Sequence, residues 1–452
     1  MTMSTRRHDE RMKKGAGKGA IAFLWDESFL WGIMAYKALR EAGLPFRLIR
    51  AADIRSGALP GCSALVVPGG WASNKIKVLG EPGVSGIRQF VREGGMYVGF
   101  CGGAGLATSD GIGLLDARRQ QTSRRVPSFS GRIRLALRHD PLWKGIDDPV
   151  FRAWWPSQLI VGEDVSILAR YGEACADAFS SDLNVGDALA VGGWEELEEH
   201  YGINLDPGRM LNEPAVIRGT YGRGTVLLSL VHFDSPGDSN GRVVLGNLWN
   251  SLGERGNLKT APDAVSRVVD ARPAPLVAAR PTLVYEVNDL KQKVDGLIEL
   301  GVRNFLWFRQ DPFLLHWRRG VRGLEYCTLK VMVDELAELI TGPETVPPFG
   351  VTLTTESALE KRSASTEAHF ADIRKLLVPF LEEARLLLLR ERRAMLQEKL
   401  TFQHSVDPHI SAARERLFST SKSHGGLFKQ VIDRMDSLLW SLLAYRHPTG
   451  LA

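Results

Sequence analysis

Cysteine is scarce in this sequence: four residues in 452, Cys62, Cys101, Cys175 and Cys327, with no Cys-x-x-Cys pair among them. That spacing excludes a disulfide framework and a structural zinc site, and free thiols suit a reducing compartment. Long apolar runs are missing as well. No stretch of 18 apolar residues occurs, so no membrane-spanning helix is expected. The short run Ile21–Trp25 is cut by Asp26 and Glu27, unlike the core of a secretory signal, and a cytoplasmic protein is expected. Nor does the body carry a charge of one sign. Of the net +5, residues 1–18 supply six Lys or Arg against Asp9 and Glu10, which leaves the rest nearly neutral. Without a basic face on the folded part, nucleic-acid binding is not expected. His404 and His409 flank Pro408 without partners at ligand spacing, so neither a metal nor a cofactor is expected. The composition, 44% hydrophobic and 24% charged, is that of a globular protein of two or three domains.

Residues 19–256 alternate between short apolar runs and helical periodicity. Ile21–Trp25 reads as a strand. Phe29–Ala42 carries Leu30, Ile33, Met34 and Leu39 at helical spacing and stops at Gly43. Phe46–Ile49, Ala64–Val67 and Met96–Phe100 are further strands, with a helix over Gly86–Arg92. Ile133–Leu137, Val165–Ala169, Ala215–Gly219 and Thr225–Val231 follow. This rhythm predicts a doubly wound, mostly parallel sheet covered by helices. Residues 1–18 read as a basic tail, 257–283 and the proline-rich 342–356 as linkers. Residues 284–341 read as a helical segment and 357–447 as a helical bundle. Between residues 356 and 452, 15 Lys or Arg face 12 Asp or Glu, a balance that suits solvated helix faces. These C-terminal helices are candidates for homo-oligomer assembly or for docking a protein partner.

Chemistry concentrates in Gly99-Phe100-Cys101-Gly102-Gly103-Ala104-Gly105. An apolar strand runs into a cysteine with glycine two before and two after, and a helix follows. In a strained strand-to-helix turn of this kind, neighbouring side chains would collide unless they were glycine. The turn lifts the thiol above the carboxyl edge of the sheet, where open α/β sheets bind ligands. A buried cysteine beside a glycine-rich turn, or a nucleotide loop, is the plainer alternative. Pro68-Gly69-Gly70-Trp71 closes another strand. The amides of Gly70 or Trp71, with that of Gly102, could bind an oxyanion; an ordinary turn is the alternative. Gly224–Val231 leads to His232 and Asp234, which in extended backbone would lie on one side, so that Asp234 orients His232 and His232 takes the proton of Cys101. A surface histidine beside an acid is the alternative. Asp26 and Glu27 end the first strand at the same edge and are candidate auxiliary acids, or simply helix-capping residues.

Together, Pro68-Gly69-Gly70, the Cys101 elbow and His232-x-Asp234 resemble the three landmarks of class I glutamine amidotransferase-like domains. The subgroup named after the N-terminal domain of biotin–protein ligases is the nearest in pattern, through Ile87–Gly95 and the elbow. The resemblance covers residues 19–250. It implies a flavodoxin-like fold, Cys101 as nucleophile, His232 as base, Asp234 as third member, and the Gly70 and Gly102 amides as oxyanion donors. The third member is usually Glu, and Asp234 is one methylene shorter. No ligase motif follows, so biotinylation is not implied. The expected function is a thiol-dependent hydrolase or amidase acting on a small-molecule or peptide amide. The alternative is a catalytically idle binding module whose helical half serves assembly.

Overall fold

The computed structural model describes residues 19–256, 280–309, 311, 313–342, 356–397, 407–420 and 423–446. The chain divides into two compact units that meet in sequence at Pro262 and Asp263. Residues 1–18 and nearly all of the expected linkers lie outside the described residues, as does His404.

In the first unit, β1 (Ala20–Leu24), β2 (Arg47–Ile49), β3 (Cys62–Val67), β4 (Met96–Phe100) and β13 (Gly224–Ser229) are side by side and parallel, in the order β13-β4-β3-β1-β2. Helices Phe29–Glu41 (α1), Ala51–Arg55 (α2), Ala72–Arg92 (α3) and Gly102–Ala107 (α4) follow β1 to β4 in turn. Strands covered on both faces need apolar residues at every position, and β4 is buried throughout. This is the wound parallel arrangement that the strand–helix rhythm implies. Beyond β13 the sheet continues antiparallel through β12 (Pro214–Tyr221), β9 (Ser166–Ala174) and β6 (Phe129–Leu137), with β7 (Val150–Trp154) on β6. The short strands β10 (Phe179–Ser180) and β11 (Leu183–Asn184) complete that edge. Along β6 buried and exposed residues alternate, the mark of a sheet with one wet face. A separate two-stranded sheet pairs β5 (Ala117–Arg119) with β8 (Leu159–Val161).

The topology fixes where chemistry can sit. Because β1, β3, β4 and β13 are parallel, their carboxyl ends share one rim. β4 lies between β3 and β13, so whatever follows Phe100 is flanked by the loops after Val67 and after Ser229.

The second unit is helical: Pro281–Arg303, Leu324–Thr341, Glu356–Leu396, Pro408–Phe418 and Gly426–Arg446. Leu283, Val287, Leu290, Val294 and Leu297 bury one stripe of the first of these helices. The segment 284–341, read as helical, is interrupted. A hairpin of Trp307–Arg309 and Leu315–Trp317 separates its two helices and takes up the aromatic stretch. Gly301 makes room for it: a Cβ there would lie 1.9 Å from the Trp307 ring, whose Nε1 donates to the carbonyl of Ile298 at 2.9 Å. Among the described residues no helix is long and apolar enough to cross a membrane.

Candidate active site

Cys101 occupies the turn between β4 and α4 with φ 48° and ψ −108°, a left-handed backbone that a side chain adopts only under strain. Its amide still donates to Ser229 at 2.9 Å, extending the β4–β13 ladder by one residue before the chain turns. The glycines around it are enforced by contact. A Cβ on Gly102 would lie 1.7 Å from the carbonyl oxygen of Gly70, one on Gly103 2.0 Å from that of Val67, and one on Gly99 2.6 Å from that of Gly103. A Cβ on Gly70, itself at φ +114°, would lie 2.3 Å from the carbonyl oxygen of Glu27. Three loops, after β1, β3 and β4, therefore meet backbone to backbone. Strain gathers here too: of the eight non-glycine residues with positive φ among the described residues, Glu27, Phe29, Cys101 and Trp155 belong to the rim or its walls.

His232 and Asp234 come together, though not along an extended strand as expected. β13 ends at Ser229, and both residues sit in the turn beyond it. The amide of His232 donates to Arg152 at 2.8 Å, and Ser235 Oγ donates to the His232 carbonyl at 3.0 Å. So held, His232 Nδ1 meets Asp234 Oδ1 at 2.9 Å, with both side chains almost wholly buried. The shorter acid reaches the imidazole. Burial works against a charged ring, but the charge and hydrogen bond of Asp234 and the neighbouring Cys101 outweigh it, lifting His232 to about 10. Beyond Asp234, Cys101 is the neighbour that acts on the ring. Trp31 stacks on the imidazole with centroids 5.0 Å apart, and Trp154 packs against it at 4.8 Å. Aromatic faces favour the imidazolium.

A base whose pKa is raised on folding contributes stability that is complete below its unfolded value and lost as pH climbs through the folded one. For His232 that window runs from 6.5 to about 10. Urea unfolding of the full chain is therefore expected to show stability falling across this range, and His232→Gln is expected to flatten the fall. A parallel fall in both proteins would remove His232 as its source.

The oxyanion candidates lie beside the thiol. Gly70 and Gly102 are in contact, and among the described residues nothing accepts a hydrogen bond from the amides of Gly70, Trp71 or Gly102. Trp71 is 37% exposed and opens α3. The auxiliary acids divide. Asp26 Oδ2 accepts the Ala51 amide at 2.6 Å, on the β2 side of β1 and away from β4, so it organises the entry to α2. Glu27 turns toward the Gly70 loop, where Oε2 accepts from Asn74 at 3.2 Å.

Several neighbours carried no signal of their own in the sequence. Lys75 is fully buried and donates to the Asp26 carbonyl at 3.0 Å and to Ser28 Oγ at 2.5 Å, clamping the β1 loop against Gly70. Tyr171 is buried close enough to Cys101 that, after burial itself, Cys101 is the next influence pushing its hydroxyl upward. Cys62 and Cys175 are pushed up by burial and Cys327 to about 12, which leaves them poor nucleophiles. Among the described residues no three His, Cys, Asp or Glu side chains gather as a metal-binding set.

Comparison with known proteins gives three results. The family model described as biotin-protein ligase, N terminal, matches residues 58–111. No curated protein sequence matches significantly. Among solved structures, a putative GMP synthase subunit from Thermoplasma acidophilum is 14% identical, with 52% of this chain covering 96% of that one at a TM-score of 0.35. A β-galactosidase from Bacillus circulans sp. alkalophilus is also 14% identical, over 52% of this chain and 31% of its own, at 0.32. A cytoplasmic protein from Salmonella typhimurium is 12% identical over 51% and 98%, at 0.33. Similarity at this level carries no functional argument. The likeness to the biotin-protein ligase N-terminal family read from the motifs is met over residues 58–111, the segment that holds both the Pro68-Gly69-Gly70 turn and the Cys101 elbow.

Proposed function

We propose that the first unit is a thiol-dependent hydrolase that cleaves a carbon–nitrogen bond. One observation carries the reading: a cysteine on a strained elbow stands beside a buried His232–Asp234 pair at the shared rim of parallel strands. The positive charge favoured on His232 assists Cys101 in reacting as the thiolate. The sulfur attacks the amide carbonyl, and the Gly70, Trp71 and Gly102 amides receive the oxyanion. His232 then gives its Nε2 proton to the departing nitrogen as the C–N bond breaks, leaving a thioester on Cys101. Neutral again, His232 takes a proton from water, which cleaves the thioester to the acid and releases the sulfur as the thiolate beside the imidazolium. Asp234 holds the ring and offsets its charge throughout.

Intact-mass analysis of the full chain with a panel of activated amides tests this. An acyl adduct that forms in the wild type and vanishes in Cys101→Ala is the expected result. No adduct from any amide, together with a Cys101 no more reactive toward iodoacetamide than Cys62 and Cys175, would instead leave a binding module.

A further inference from the structure

Two arginines at this rim have cationic groups that the protein does not neutralise. Arg119 ends β5, and its Nη2 lies 3.6 Å from where a Cβ on Gly105 would stand, a position itself 3.9 Å from the Ala72 side chain. Gly105 is one helical turn from the nucleophile, its amide donating to the Cys101 carbonyl at 2.9 Å. The guanidinium therefore lies over the starts of α3 and α4, in space that the missing side chain leaves open. Arg125 lies six residues further along the same loop. Its Nη2 donates to Thr122 Oγ1 at 2.9 Å, while its Nε is buried with no partner. Burial and then the charge of Arg119 hold Arg125 below the usual guanidinium range, so the two cations are within electrostatic reach of each other.

The loop that carries them is built rather than loose. Asn204 Nδ2 donates to the carbonyls of Ser123 and Arg125, each at 2.9 Å. The buried Gln158 takes the Val126 amide on its side chain and the Gln120 amide on its carbonyl, both at 2.8 Å. The nearby acids are otherwise engaged: Asp110 Oδ2 accepts the backbone amide of Arg119, and Glu27 accepts from Asn74. Among the described residues no acid forms an ion pair with either guanidinium.

We infer that Arg119 and Arg125 form a subsite for an anionic group of the substrate, so that the amide cleaved at Cys101 carries a negative charge about one helical turn from its carbonyl. This deepens the hydrolase reading and rests on it. An anion bound by the two arginines meets guanidinium charges that no acid among the described residues pairs with, and their planar donors suit a carboxylate or phosphate.

Alkylation of the full chain with iodoacetate and with iodoacetamide tests the subsite without a known substrate. Both reagents form the same S–C bond with loss of iodide, but only iodoacetate is an anion. The ratio of their rates at Cys101 cancels any change in thiolate fraction. Relative to free cysteine, the wild-type ratio is expected to favour iodoacetate by about fivefold, to fall with added salt, and to drop by about twofold or more in R119Q/R125Q, the His232 charge sustaining the remainder. A wild-type ratio equal to that of free cysteine, or one unchanged in the double variant, overturns the subsite while leaving the hydrolase reading intact. A Cys101 sluggish toward both reagents overturns the hydrolase reading, and the subsite with it. Circular dichroism of the variant separates misfolding from loss of charge, and the single variants R119Q and R125Q, each expected to lose part of the preference, provide the test if the double variant does not fold.

Discussion

Replacing His232 with alanine is expected to slow alkylation of Cys101 by iodoacetamide at pH 6.5 by roughly 10- to 30-fold. The magnitude follows from what an imidazolium can do for a thiol. An ordinary thiol is only about 1% thiolate at pH 6.5, so complete conversion to the ion pair raises the thiolate about 100-fold, and the lower nucleophilicity of a low-pKa thiolate takes back part of that gain. His232 is set up to supply that charge. Asp234, and after it Cys101, favour its cation against the cost of burial, and Trp31 and Trp154 offer it aromatic faces. Asp234→Asn keeps a hydrogen bond to Nδ1 without the charge and should fall between wild type and His232→Ala. The alanine variant leaves a slot between two indoles, and added imidazole is expected to enter it and restore part of the rate, a rescue that a general loss of structure would not permit. Cys62 and Cys175 in the same molecule serve as internal references. If Cys101 in His232→Ala reacts as fast as in the wild type, the pairing of sulfur and imidazole has no chemical consequence, and the case for a nucleophile fails.

The parallel half of the fold was legible because its strands are buried on both faces and read as continuous apolar runs punctuated by glycine. The rim was legible for a different reason. Gly70, Gly99, Gly102 and Gly103 are spaced by backbone contacts, and such contacts leave no alternative residue. What a pattern cannot show is which distant side chains close over the rim. Nothing in the local sequence marks Lys75, yet it is wholly buried, because the loop it clamps lies nearly fifty residues earlier. Trp31 and Trp154 read as core, and they are core, but the face they pack against is an imidazole. Arg119 and Arg125 look like ordinary solvated charges until the loop is fixed by Asn204 and Gln158. The hairpin at Trp307 was hidden for the opposite reason: its aromatics fit helical spacing equally well, and the decision is made by Gly301 and by Phe305 at φ 57°.

Gly102→Ala is expected to destabilise the first unit by about 3 kcal/mol or more, at the upper end of what overpacking costs. The new Cβ would stand 1.7 Å from the carbonyl oxygen of Gly70, far inside contact distance. Neither side can yield cheaply. The Gly70 loop cannot retreat, because Gly70 is itself packed on the carbonyl of Glu27, and that loop is pinned from beneath by Lys75. The elbow cannot retreat, because Gly103 rests on Val67 and Cys101 is tied to Ser229. Gly246→Ala is the matching control. It lies within the helix Ser239–Gly256, its Cβ would meet nothing within 4 Å, and alanine there should stabilise by up to about 1 kcal/mol through helix propensity. Guanidinium unfolding followed by tryptophan fluorescence distinguishes the two, since the indoles at the rim report on the first unit. Opposite signs for the same chemical change would mean that glycine at 102 is dictated by the meeting of two loops rather than by chain flexibility. If Gly102→Ala were as stable as the wild type, the Gly70 carbonyl would have to lie elsewhere. The amides of Gly70 and Gly102 would then no longer converge beside the sulfur, and the oxyanion site, with the acyl transfer it supports, would lose its geometry.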